Sequence, residues 1–151
     1  MKTSDTQKLL DLIGRKHDCL AQLHRLGGEQ QGLVDTGDVG RLLSLLAIKQ
    51  QTLQALSDVE RELDPYRRED PRQRVWASEA ERMHCAALAE RSERMLREIL
   101  EIEKRCEESL QRRRDETAEQ LSVVQAAGAA RGAYLNSGSL PVSTIDLQSG
   151  T

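Results

Sequence analysis

The sequence predicts an all-α protein: an elongated antiparallel three-helix bundle or coiled coil, with a long third helix and a flexible C-terminal tail. Three observations carry this. Leu, Ala, Glu, Arg and Gln dominate the chain, while aromatic residues are 2% and Phe is absent, a usage suited to long helices rather than sheets. From Ser78 to about Gln125 there is neither Pro nor Gly, enough for a helix of about 70 Å at ~1.5 Å per residue. Within it Cys85, Leu88, Met95, Ile99, Ile102, Cys106 and Leu110 recur three and four apart, the narrow stripe of a helix packed against other helices. The expected organisation is a helical domain over 1–135, with helices at about 4–26, 38–63 and 78–127, and a disordered tail over 136–151.

The first helix follows a cap at Ser4 or Asp5, whose short side chains can accept a first-turn N–H. Leu9, Leu10, Ile13, Leu20, Leu23 and Leu26 supply its apolar face. Gly27-Gly28 weakens it through backbone entropy, and Asp35-Thr36-Gly37-Asp38 marks a break. In the second helix Val39, Leu42, Leu46, Leu53, Leu56 and Leu63 fall on a heptad seam, widened by Leu43, Leu45, Ile48 and Val59. A face this wide suits contact with two neighbours. Pro65 is expected to end the helix. Residues 64–77 form a linker rich in Arg and Pro, in which Tyr66 and Trp76 are expected to seal the end of the bundle.

The third helix opens with the capping-box pattern Ser78…Glu81. On its outer face Glu90–Arg94, Glu93–Arg97, Glu101–Arg105 and Glu108–Arg112 stand four apart, acid first, the favourable order for solvated ion pairs. The polar run QRRRDE at 111–116 then interrupts the seam. Apolar residues return at Ala118, Leu121, Val123 and Val124. The two shorter helices can cover the third only to about Leu110, so this later stretch is left for a heterologous partner, for pairing in a homodimer, or as a frayed terminus.

Charge and composition exclude several classes. A formal net charge of −3 gives no general attraction for nucleic acid or anionic membrane. No apolar run is long enough for a membrane span, and the N-terminus lacks a secretory signal, so a cytoplasmic protein is expected. Cys19, Cys85 and Cys106 are read as reduced thiols acting as small hydrophobes. His84 and Cys85 are adjacent, so they diverge by about 100° on a helix and form no metal pair. No Cys-x-x-Cys, inward Glu-x-x-His or phosphate loop occurs. No catalytic residue, metal ligand or cofactor site is assigned, and an enzyme is not expected.

The segment TGDVGRLLSLLAIKQQTLQALSDVERELDPY, at 36–66, resembles the central part of FlgN-type flagellar export chaperones: a Gly-Asp break, then a Leu-rich helix holding a Lys-Gln pair, here Lys49-Gln50. The resemblance implies a cytoplasmic chaperone without catalytic activity. Its clients would be the hook-associated proteins of the hook-filament junction, delivered to the flagellar type III export gate or its ATPase complex. It implies client binding through the late third helix, on Ala118, Leu121, Val123 and Val124, and an export-gate contact through Tyr134. The alternative is a structural coiled-coil protein that forms a homodimer through the same segment.

Overall fold

The computed structural model describes residues 2–137, with side chains as far as Leu135. The described residues form three α-helices and one short 3-10 turn: α1 (Thr3–Thr36), α2 (Val39–Arg67), the turn Pro71–Gln73, and α3 (Glu79–Ser137). The chain divides into two units, Met1–Glu108 and Ser109–Thr151.

The first unit is a three-helix bundle. Lys16 of α1 meets Glu60 of α2 at 2.9 Å, while Gln30 meets Lys49 at 3.0 Å, so α1 and α2 run antiparallel. His24 reaches Glu98 at 2.9 Å and Gln31 accepts from Cys106 at 3.3 Å, so α1 and α3 run in the same direction and α2 against both. The core has two apolar clusters. Leu9, Leu12, Val59 and Leu63 form one, closed off by Ile13, Tyr66 and Trp76. The two rings therefore sit against the core as the sequence predicts, and Thr6 Oγ1 donates to the Val75 carbonyl at 2.7 Å beside them. Leu20, Leu23 and Ile99 form the other cluster, with Leu56 and Met95 against it. All three helices contribute to it.

Helix boundaries differ from the sequence reading in four places. α1 begins at Thr3, where Asp5 accepts from the Lys2 backbone N–H at 3.0 Å, so Asp5 serves from inside the first turn. α1 also passes unbroken through Gly27-Gly28. Gly27 is buried, and a Cβ there would lie 3.1 Å from Ile102 Cγ2. That glycine is a close approach between α1 and α3, and packing outweighs its entropic cost. The real stop is Gly37, in the left-handed region at φ 74°. Its N–H bonds the Val34 carbonyl and the Asp38 N–H bonds that of Leu33, at 3.3 and 3.2 Å, which satisfies the last carbonyls. Asp38 then caps α2 by accepting from Arg41 N at 3.2 Å.

Pro65 does not end α2; the helix runs on to Arg67. The missing N–H costs one bond, to the Arg61 carbonyl. The turn is still closed by the N–H groups of Arg68 and Glu69 on the Pro65 and Tyr66 carbonyls, each at 3.4 Å. α3 begins as predicted, with Glu81 N donating to Ser78 Oγ at 3.1 Å, and extends to Ser137 rather than about 127. The Ala- and Gly-rich stretch 126–133 is helical, since Ala is the strongest helix former. The tail expected from 136 lies, from residue 138 onward, outside the described residues.

The seam of α2 also differs. The residues buried on it are Leu45, Thr52, Val59 and Leu63, whereas Val39, Leu46 and Leu53 are exposed. The buried residues are drawn from both expected sets: Leu45 and Val59 from those widening the seam and Leu63 from the seam itself, with Leu56 packed against the second cluster, while Leu43 and Ile48 of the widening set are exposed. Thr52 is accommodated because its hydroxyl donates back to the Ile48 carbonyl at 3.1 Å. On α3 the buried row is Cys85, Ser92, Ile99 and Cys106, one heptad apart, with Ser109 buried and Leu110 left 44% exposed.

Candidate functional site

The second unit carries the residues that the sequence reading selects. Every residue from 110 to 131 is exposed. Leu121 is 57% exposed, Val123 62% and Val124 67%. α3 is continuous through them, so helical geometry fixes their faces. At about 100° per residue, Ala118, Leu121 and Val124 fall within one third of the circumference. Val123 stands about 100° from Val124 and shares the opposite side with Ala127 and Tyr134. The four residues therefore lie on two faces: a row of Ala118, Leu121 and Val124, and a second row through Val123.

A shallow depression of about 500 Å³ is lined by Glu116, Glu119, Gln120, Val123 and Val124, placing two carboxylates beside two valines. N-terminal to this site Gln111 donates to Asp115 at 3.2 Å and Arg112 to Ser109 Oγ at 3.2 Å. The QRRRDE run thus satisfies part of its polar groups within its own helix. Tyr134 is 78% exposed.

The Lys49-Gln50 pair that carries the resemblance behaves differently in its two members. Gln50 is exposed. The Lys49 side chain is only 14% exposed; its Nζ donates to Gln30 Oε1 and is ion-paired with Glu103. One residue from each helix meets there. Gln30 is itself 5% exposed, so the ammonium has a buried amide on one side and a carboxylate on the other. Lys49 thus ties the three helices together. The contribution of Gln30 was not legible, because nothing in EQQ separates a buried glutamine from a solvated one.

Sequence reasoning also missed a groove of about 840 Å³ between the end of α1 and the start of α2, lined by Leu26, Leu33, Leu45 and Ile48 with Glu29, Asp38 and Arg41 at its edges. Its only sequence signal is the surplus of apolar residues on α2.

Among the described residues the titratable groups form no catalytic arrangement. Cys19, Cys85 and Cys106 are free thiols, and burial pushes all three above the ordinary thiol value, which leaves them poor nucleophiles at neutral pH. His84 is exposed while Cys85 is buried, so the neighbours diverge. Burial raises the Glu60 carboxyl, but hydrogen bonds and charge from Lys16 and Arg67 outweigh it and hold that group below its ordinary 4.5. Among the described residues no cluster of His, Cys, Asp or Glu could hold a metal ion, and no helix is long and apolar enough to cross a membrane.

The described residues form a small three-helix bundle whose last helix presents apolar residues to solvent. The chain matches the family described as FlgN protein over residues 1–141, and it belongs to that family. Membership implies a chaperone role in flagellum assembly and export. No curated protein and no solved structure gives a significant match.

Proposed function

We propose that this protein is a cytoplasmic, non-enzymatic chaperone that binds terminal segments of flagellar hook-associated proteins and delivers them to the type III export gate or its ATPase complex. The observation that carries this reading is the exposed row Ala118, Leu121 and Val124 in a helix whose buried seam ends at Ser109. An apolar row costs free energy in water and is retained where a partner covers it. A client terminus that forms an amphipathic helix would lay its apolar stripe along this row. Val123 stands on the opposite face with Glu116 and Glu119, so it would be covered only by a second client segment, in which the two carboxylates would favour basic residues. The client orders as it binds, which offsets part of the buried area and keeps the affinity moderate. Tyr134, on the Val123 side, is assigned to the export-gate contact.

The test is a titration of a purified hook-associated protein against the full chain, a chain lacking 118–151, and Leu121→Asp. Both changes should weaken binding at least tenfold while the bundle melts as before. Unchanged affinity in the truncated chain would remove the site from this segment. Light scattering separates the alternative: a tight dimer that Leu121→Asp dissolves would identify self-association through this row.

A further inference from the structure

A second site lies within the bundle itself, in a cavity of about 200 Å³ near the Arg- and Pro-rich linker. Two buried polar atoms among its lining residues lack a protein partner: Nε of Arg74 and Oγ of Ser92. Ser92 is 1% exposed, on the buried row of α3. Arg74 is half-buried, and its Nη2 donates to the Tyr66 carbonyl at 2.9 Å. A carbonyl leaves the positive charge uncompensated, and the described residues give Arg74 no carboxylate within ion-pairing distance. The other cations lining the cavity differ: Lys16 is paired with Glu60, and Arg67 with Glu60 and Asp64. Arg74 is thus the cation whose charge is left over.

A half-buried guanidinium without a counter-charge is costly. A buried N–H and a buried hydroxyl without partners add to that cost. One kind of ligand answers all three: a compact anion with several acceptor oxygens, since guanidinium forks and hydroxyls match oxyanion geometry. We propose that this cavity binds a small oxyanion of the size of inorganic phosphate or sulfate, held by Arg74 and Ser92. Lys16 and Arg67 add positive potential. Glu93, which also lines the cavity, opposes the anion and sets its affinity low. Because Arg74 sits in the connection between α2 and α3, occupancy would fasten the linker to both helices.

The experiment is a thermal melt and calorimetric titration of the full chain with sodium phosphate, against sodium chloride at equal ionic strength, and then with glycerol 2-phosphate. Phosphate should raise the melting temperature saturably where chloride does not. Binding should weaken at least tenfold in Arg74→Gln and severalfold in Ser92→Ala, with no change in Arg72→Gln from the same linker. Glu93→Gln should tighten it, a gain that misfolding cannot imitate. An equal response to glycerol 2-phosphate identifies a phosphomonoester head as an acceptable source, and a response to the free anion alone restricts the ligand to inorganic phosphate. Chloride matching phosphate, or Arg74→Gln binding as tightly as the parent, would overturn the proposal. So would Glu93→Gln lowering the melting temperature without tightening binding, since Glu93 would then be the counter-charge of Arg74.

Discussion

Two stretches of α3 share a helix and little else. From Glu79 to Glu108 a buried residue recurs every seventh position, at Cys85, Ser92, Ile99 and Cys106, and the outer face closes ion pairs such as Glu90–Arg94 at 3.2 Å and Glu101–Arg105 at 3.8 Å. From residue 110 to 131 nothing is buried, although Leu121, Val123 and Val124 are more apolar than the serine and cysteines that fill the earlier seam. Burial in this protein therefore follows the availability of a partner helix, not hydrophobicity alone. A serine can occupy a core row when the neighbouring helices come close; a leucine stays wet when none does.

The largest break in this comparison comes from the core. Leu20→Ala removes a side chain that is 1% exposed between all three helices and should cost about 3 kcal/mol, read by urea unfolding. Leu121→Asp should leave the same transition within about 0.5 kcal/mol. Equal losses in the two variants would mean that Leu121 is part of the folded core.

Lys49→Ala comes next. It strands the buried Gln30 amide and the Glu103 carboxylate, at a cost of about 1–3 kcal/mol. The double-mutant cycle with Glu103→Gln should show coupling, and strict additivity would reduce the contact to an ordinary solvated pair.

The adjacent glycines give a finer test. A methyl group added at Gly28 would have nothing within 4 Å, whereas one added at Gly27 would meet Ile102 Cγ2 at 3.1 Å. Gly28→Ala should stabilise the bundle by about 0.5–1 kcal/mol through helix propensity. Gly27→Ala should gain less or lose stability, because Ile102 is β-branched and stiff in a helix. Equal gains, measured by the same urea transition, would show that α3 can retreat freely.

The smallest effect is electrostatic. The Glu60 carboxyl is depressed in the fold, so its contribution is complete above the unfolded carboxylate value of about 4.3 and is lost as pH falls through the lower folded value. The melting difference between the parent and Glu60→Gln should shrink as the pH drops below about 4. A difference that stays constant to about pH 2 would assign Glu60 a packing role instead.

Much of this was legible in the residues themselves. The absence of Pro and Gly between Ser78 and Gln125, the turn at Gly37-Asp38 and the Ser78 cap are local signals, and local backbone energetics decide them. The end of the filled seam near Leu110 was legible because QRRRDE offers nothing to bury. Four residues selected for one surface proved to occupy two faces, since Val123 and Val124 cannot point the same way on a helix.

The sequence by itself determined that the chain is helical, where its helices turn, and which stretch of the third has no apolar seam to offer the bundle. Only the tertiary structure decided which apolar residues of α2 are core, that Gly27 is a contact rather than a break, and that Lys49 finds Gln30 and Glu103. The physical reason is the range of the forces involved. Backbone preference and capping act within a turn or two, whereas the choice of buried face depends on residues from the other helices, whose positions no local pattern contains.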